Sequence, residues 1–131
     1  MSAVDKPLRS ELARVRGLGS AKEGVQHWWA QRLTALALVP LGLWFVAGLI
    51  AHLGLDRAAA AAWLRQPVVL GLTALLIVAV FHHAQLGLQV VIEDYVGHGT
   101  AKLIALVLVK AAAIALATAA LVALLTIAFG G

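Results

Sequence analysis

An all-α membrane protein with three transmembrane helices is the fold class this sequence predicts. Three observations carry it. Hydrophobic residues make up 63% of the 131 and charged residues 12%, with a mean hydropathy of +0.96. A soluble domain of this size would have to expose much of that apolar surface to water. Three apolar runs also reach the length needed to cross hydrocarbon, about 20 residues. Finally, the basic residues gather beside the first run, a topology signal and not a nucleic-acid footprint.

The elements follow in chain order. Residues 1–19 read as a polar surface arm, and residues 20–131 as a three-helix anchor domain. Ser20-Ala21-Lys22-Glu23 has the S-x-x-E spacing of a capping box, so a helix is expected to start near Ala21 and run into the first span. That span covers about residues 33–53 without a formal charge, and Trp28 and Trp29 before it suit headgroup level. Asp56 is placed to cap a short helix over residues 58–62, with Trp63 resting on the outer interface. Pro67 suits the first turn of the second span, residues 68–92, where its missing N–H costs nothing. Gly97 and Gly99 predict a turn before the third span, residues 103–129, interrupted only by Lys110.

Charge sets the orientation. Lys6, Arg9, Arg14, Arg16, Lys22 and Arg32 precede the first span, against Arg57 and Arg65 in the next loop and Lys102 in the one after. The positive-inside rule then puts the N-terminus in the cytoplasm and the C-terminus in the periplasm. Arg32 and Tyr95 fall on the same side. The start shows no Arg- and Ser-rich transit pattern, which favours a bacterial inner membrane. The chain has no cysteine, so thiolate metal sites and iron–sulfur clusters ligated by this chain are excluded.

The polar residues inside the spans carry the chemistry. Ionisable groups at bilayer depth are rare and mark functional sites by default, and imidazole is a natural axial ligand of haem iron. Neighbours on a helix point about 100° apart, so His82 and His83 do not face one ligand. The face of His83 continues through Gly87, Val90 and Asp94, and Gly87 leaves room for a flat macrocycle against the backbone. Ten residues separate His83 from Glu93, about 15 Å of rise, which places the imidazole near mid-membrane. The alternative for either histidine is an interhelical hydrogen bond, and for His82 that is the preferred reading.

Glu93, Asp94 and Tyr95 close the second span. They read either as a solvated helix end with an interfacial tyrosine or as a site for a lipid-soluble quinone. In the second reading the hydroxyl donates to a carbonyl oxygen and a carboxylate relays protons. Arg32 is an interface anchor by default, yet its forked donors suit a carboxylate such as a haem propionate. Lys110 is expected to snorkel toward the interface. Nothing assigns a role to His98.

Over most of residues 19–129 the chain resembles the hydrophobic membrane-anchor subunit (the D subunit) of succinate dehydrogenase, respiratory complex II. The resemblance rests on Gly19-Ser20-Ala21-Lys22-Glu23-Gly24, on His27-Trp28-Trp29-Ala30-Gln31-Arg32-Leu33-Thr34-Ala35, and on the His-(ten residues)-Asp-Tyr pattern of His83, Asp94 and Tyr95. It implies a subunit that is not catalytic alone. Succinate would be oxidised at FAD in a flavoprotein subunit, with electrons passing through the clusters of an iron–sulfur subunit to ubiquinone or menaquinone. His83 would be one axial ligand of haem b, the other coming from a companion cytochrome b-type anchor (the C subunit). Tyr95 and Asp94 would serve the quinone, and Arg32 would face a haem propionate. His27 lies one position off a family histidine in that neighbourhood. Two other readings remain: the anchor of a fumarate reductase working in the opposite direction, and a non-redox membrane scaffold whose histidines only cross-link helices.

Overall fold

The computed structural model describes the backbone of residues 18–130 and the side chains of residues 24–130. Four helices account for nearly all of it: α1 (Leu18–Ala51), α2 (Arg57–Arg65), α3 (Pro67–Tyr95) and α4 (Gly99–Phe129). Two compact units divide between Ala30 and Gln31. The arm expected over residues 1–19 lies almost wholly outside the described residues.

Three helices are long and apolar enough to cross a membrane: Gly24–Ala51, Pro67–Tyr95 and Gly99–Phe129. The all-helical, three-span reading is therefore correct, with one adjustment in α1. The described helix already includes Leu18, so Ser20 lies within it and not at the N-cap position before it. Gly19 and Ser20 each cost a helix no more than about 1 kcal/mol, too little to stop it. The candidate-span helix takes in Arg32 as well as the charge-free run that begins at residue 33. One long basic side chain does not end a span, because its aliphatic stem remains apolar. Pro40 lies inside α1 as well. It removes one backbone hydrogen bond, a loss that membrane helices tolerate where neighbours re-satisfy the freed carbonyl.

Gly54 turns the chain after α1 with φ 84°, a left-handed conformation that glycine adopts without strain. Asp56 then caps α2 as expected, accepting from the Ala59 N–H at 2.8 Å. The indole of Trp63 stacks on the His52 ring, centroids 4.5 Å apart and planes inclined by 25°, and lies beside Trp44 and Phe45. His52 Nδ1 is 2.7 Å from the Gly48 carbonyl oxygen. Gly48 is needed there, because a Cβ would stand 2.5 Å from the Trp63 ring. At the far end of α2, Arg65 Nε donates to the Ile127 carbonyl at 3.0 Å, satisfying an acceptor in the last turn of α4.

Pro67 opens α3 at the expected position. Its buried residues Val69, Thr73, Leu76, Ala79 and Leu86 recur at helical spacing along one face. α3 packs chiefly on α4, where Leu124 is buried, and α2 touches both. Among the described residues, Leu41 is the only other buried side chain. Most of the remaining apolar surface faces outward, as lipid or a partner subunit would require.

Candidate functional site

His83 is positioned by a bond between helices. Its Nδ1 lies 2.9 Å from Thr34 Oγ1 on α1, a residue 49 positions away in sequence. The Thr34 hydroxyl in turn donates to the Gln31 carbonyl at 3.1 Å. With its proton on that carbonyl the hydroxyl oxygen can accept from the Nδ1–H tautomer of His83, which would keep the lone pair of Nε2 for a ligand bond. An interhelical hydrogen bond and a metal ligand are thus not exclusive roles for this ring. Each uses a different nitrogen.

Gly87 follows one turn later. Only the end of the Gln31 carboxamide comes near it, with Nε2 3.8 Å from where a Cβ would stand, an ordinary van der Waals separation. Gln31 Oε1 is buried without a hydrogen-bond partner among the described residues. Arg32 stands two residues before Thr34 on α1, about 3 Å of rise and about 200° around the helix from it. What this chain could offer a haem is the free Nε2 side of the His83 ring and the glycine backbone one turn along, where only Gln31 approaches. His27 belongs to the other unit; its Nε2 is buried with no hydrogen-bond partner among the described residues.

His82 points elsewhere, as adjacency on a helix demands. It is exposed and lines a groove with Val78, Phe81, Gln85, Ala113, Ile114 and Ala117, between α3 and α4. The interhelical hydrogen bond expected for it is not present among the described residues, whereas His83 makes one.

Twelve residues beyond His83, about 18 Å of rise, Tyr95 ends α3 with 84% of its surface exposed. Asp94 and Glu93 are exposed beside it. Gln85 Nε2 donates to Gln89 Oε1 at 3.3 Å, and Gln89 Nε2 donates to Glu93 Oε1 at 3.1 Å. Glu93 therefore ends a polar ladder along α3, while Asp94 has no such engagement among the described residues. Lys110 is exposed on α4, beside the same ladder, where it lines a groove with Gln85 and Gln89.

A family model described as the succinate dehydrogenase/fumarate reductase transmembrane subunit matches residues 6–126. The chain belongs to that family. Similar proteins include the succinate dehydrogenase hydrophobic membrane anchor subunit of Rickettsia bellii, 34% identical over 81% of this chain and 85% of the relative. The subunit of the same name from Paracoccus denitrificans is 36% identical over 66% of this chain and 67% of the relative. No solved structure matches the chain. Membership makes it a transmembrane subunit, one part of a larger complex. With three helical candidate spans it is a multi-pass inner-membrane protein, since outer-membrane spans are closed β-barrels.

Thr34 is the residue that sequence reasoning missed. It stood in the quoted Arg32-Leu33-Thr34-Ala35 stretch, but nothing local signals a partner on another helix. The Gln85–Gln89–Glu93 ladder could have been found, because its members recur every four residues on one face.

Proposed function

We propose that this chain is a membrane anchor of a succinate:quinone oxidoreductase, providing His83 to a b-type haem and Tyr95 with Asp94 to the quinone-reduction site. The single observation that carries the reading is the His83–Thr34 hydrogen bond, which holds one ring nitrogen and reserves the other. The curated relatives named as succinate dehydrogenase anchors support the succinate-oxidising direction over the fumarate-reducing one that the family description also covers.

His83 Nε2 would ligate the iron, and Arg32 would pair with a propionate through its forked donors. The haem, when bound, supplies a one-electron redox centre. Its second ligand would come from a companion anchor, with iron–sulfur and flavoprotein subunits completing the complex. The N-terminus faces the cytoplasm of a bacterial cell in this reading, following the basic residues before α1. α3 is the second crossing, so its end returns to that side.

Reduction of a quinone to its quinol takes up two electrons and two protons. The Tyr95 hydroxyl would donate to a quinone carbonyl oxygen and hold it as negative charge develops there. Asp94, exposed and beside it, would relay protons from the cytoplasm. An 84% exposed tyrosine does not enclose a quinone, so the partner subunits must supply the other walls.

Purification of the complex in mild detergent tests this reading. Recovery of a flavoprotein and an iron–sulfur protein, with succinate-to-quinone turnover and a b-type haem absorbance, is the expected result. A complex without haem and without flavoprotein would leave a non-redox scaffold as the reading.

A further inference from the structure

We infer that Thr34 is the positioning residue of the haem site, setting the tautomer, orientation and donor strength of His83 from a neighbouring helix. This rests on the reading of His83 as an axial ligand. The argument begins with proton bookkeeping. A threonine hydroxyl has one proton and two lone pairs, and here the proton is directed at the Gln31 carbonyl. Assigned in this way, the oxygen 2.9 Å from His83 Nδ1 is the acceptor. The opposite polarity would put the ring proton on Nε2 and leave no lone pair to bind a metal.

Two features make the arrangement stiff. Thr34 bonds back three residues to its own helix, which restrains its side-chain rotation. The contact also joins two helices long and apolar enough to span a membrane, a setting in which water competes little for the Nδ1 proton. Metal-bound histidines usually donate their second nitrogen to an acceptor, which orients the ring and raises its basicity. A more basic imidazole favours ferric over ferrous haem and so lowers the midpoint potential. Without the acceptor the potential moves up.

The test compares Thr34→Val, Thr34→Ala and Thr34→Ser in the intact complex, read by optical redox titration, ferric paramagnetic resonance and haem content. Valine keeps the shape and removes the acceptor. It should raise the midpoint potential, alter the ferric spectrum and weaken haem retention by roughly 10–100-fold. Alanine should do the same, and serine should restore the wild-type values. An unchanged potential and spectrum in the valine variant would overturn the inference. So would a failure of both valine and alanine variants to assemble while serine assembles, since the hydroxyl would then serve helix association. A His83→Ala control separates the two levels. If the haem spectrum ignores that change, the ligand reading itself falls; if it responds while Thr34→Val does nothing, only the role of Thr34 falls.

Discussion

The hydroxyl of Tyr95 is the group whose removal separates quinone chemistry from succinate chemistry. Tyr95→Phe keeps the ring and deletes one donor at an exposed helix end, so folding should be unaffected. Succinate-to-quinone turnover should fall by about 10–1000-fold if the hydroxyl holds the developing oxyanion. Electron transfer to a small soluble acceptor that draws from the flavin should stay within twofold of wild type, by about 0.4 kcal/mol in barrier terms. Equal loss in both assays would mean that Tyr95 supports assembly. At this scale the sequence was readable where a residue's meaning depends on its own helix. The His83-to-Tyr95 spacing and the divergence of His82 from His83 are both consequences of helical periodicity, and the divergence is seen in their different surroundings. Thr34 was not readable, because its meaning depends on which turn of α1 meets which turn of α3.

At the scale of elements, the junction of α1 with α2 rests on a missing side chain. Gly48→Ala would drive a methyl group into the Trp63 indole, which His52, Trp44 and Phe45 hold in place. Such overpacking costs about 1–3 kcal/mol, and thermal unfolding of the detergent-purified complex should show it as a lowered midpoint. Adding Trp63→Phe to Gly48→Ala should recover part of the loss, because the smaller ring frees the space. If the double variant is no more stable than the single one, the contact does not limit stability. Asp56→Ala should cost about 1 kcal/mol through loss of the α2 cap, measured in the same way. Helix starts made by Asp56 and Pro67 were legible, since capping oxygen and ring constraint act locally. Ser20 was misjudged as a cap, because S-x-x-E also occurs within helices and here Leu18 and Gly19 before it are already helical. The aromatic packing around Gly48 was invisible for the same reason as Thr34.

For the whole molecule, the decisive property is how little three spans bury of one another. α4 leaves Ala111, Ala112, Ala115 and Ala119 exposed, a smooth face that another membrane helix can approach closely. Lipid offers no hydrophobic drive to hold the helices together, and one chain supplies one ligand to a haem that takes two in this account. Expression without the companion subunits should yield little folded, haem-loaded protein, measured as haem per polypeptide after purification; a stable haem-bound monomer would contradict this. Three spans were legible because charge-free length is a property of sequence alone. Which surfaces meet partners was not, since that depends on chains whose shape this sequence does not encode. The central claim is that His83 ligates the haem. Its most direct test is the reduced-minus-oxidised absorbance of the intact complex carrying His83→Ala or His82→Ala. The account predicts a lost or displaced haem band and an altered midpoint potential for His83→Ala, and near-wild-type values for His82→Ala. The reverse pattern, or an unchanged spectrum in both, would contradict it.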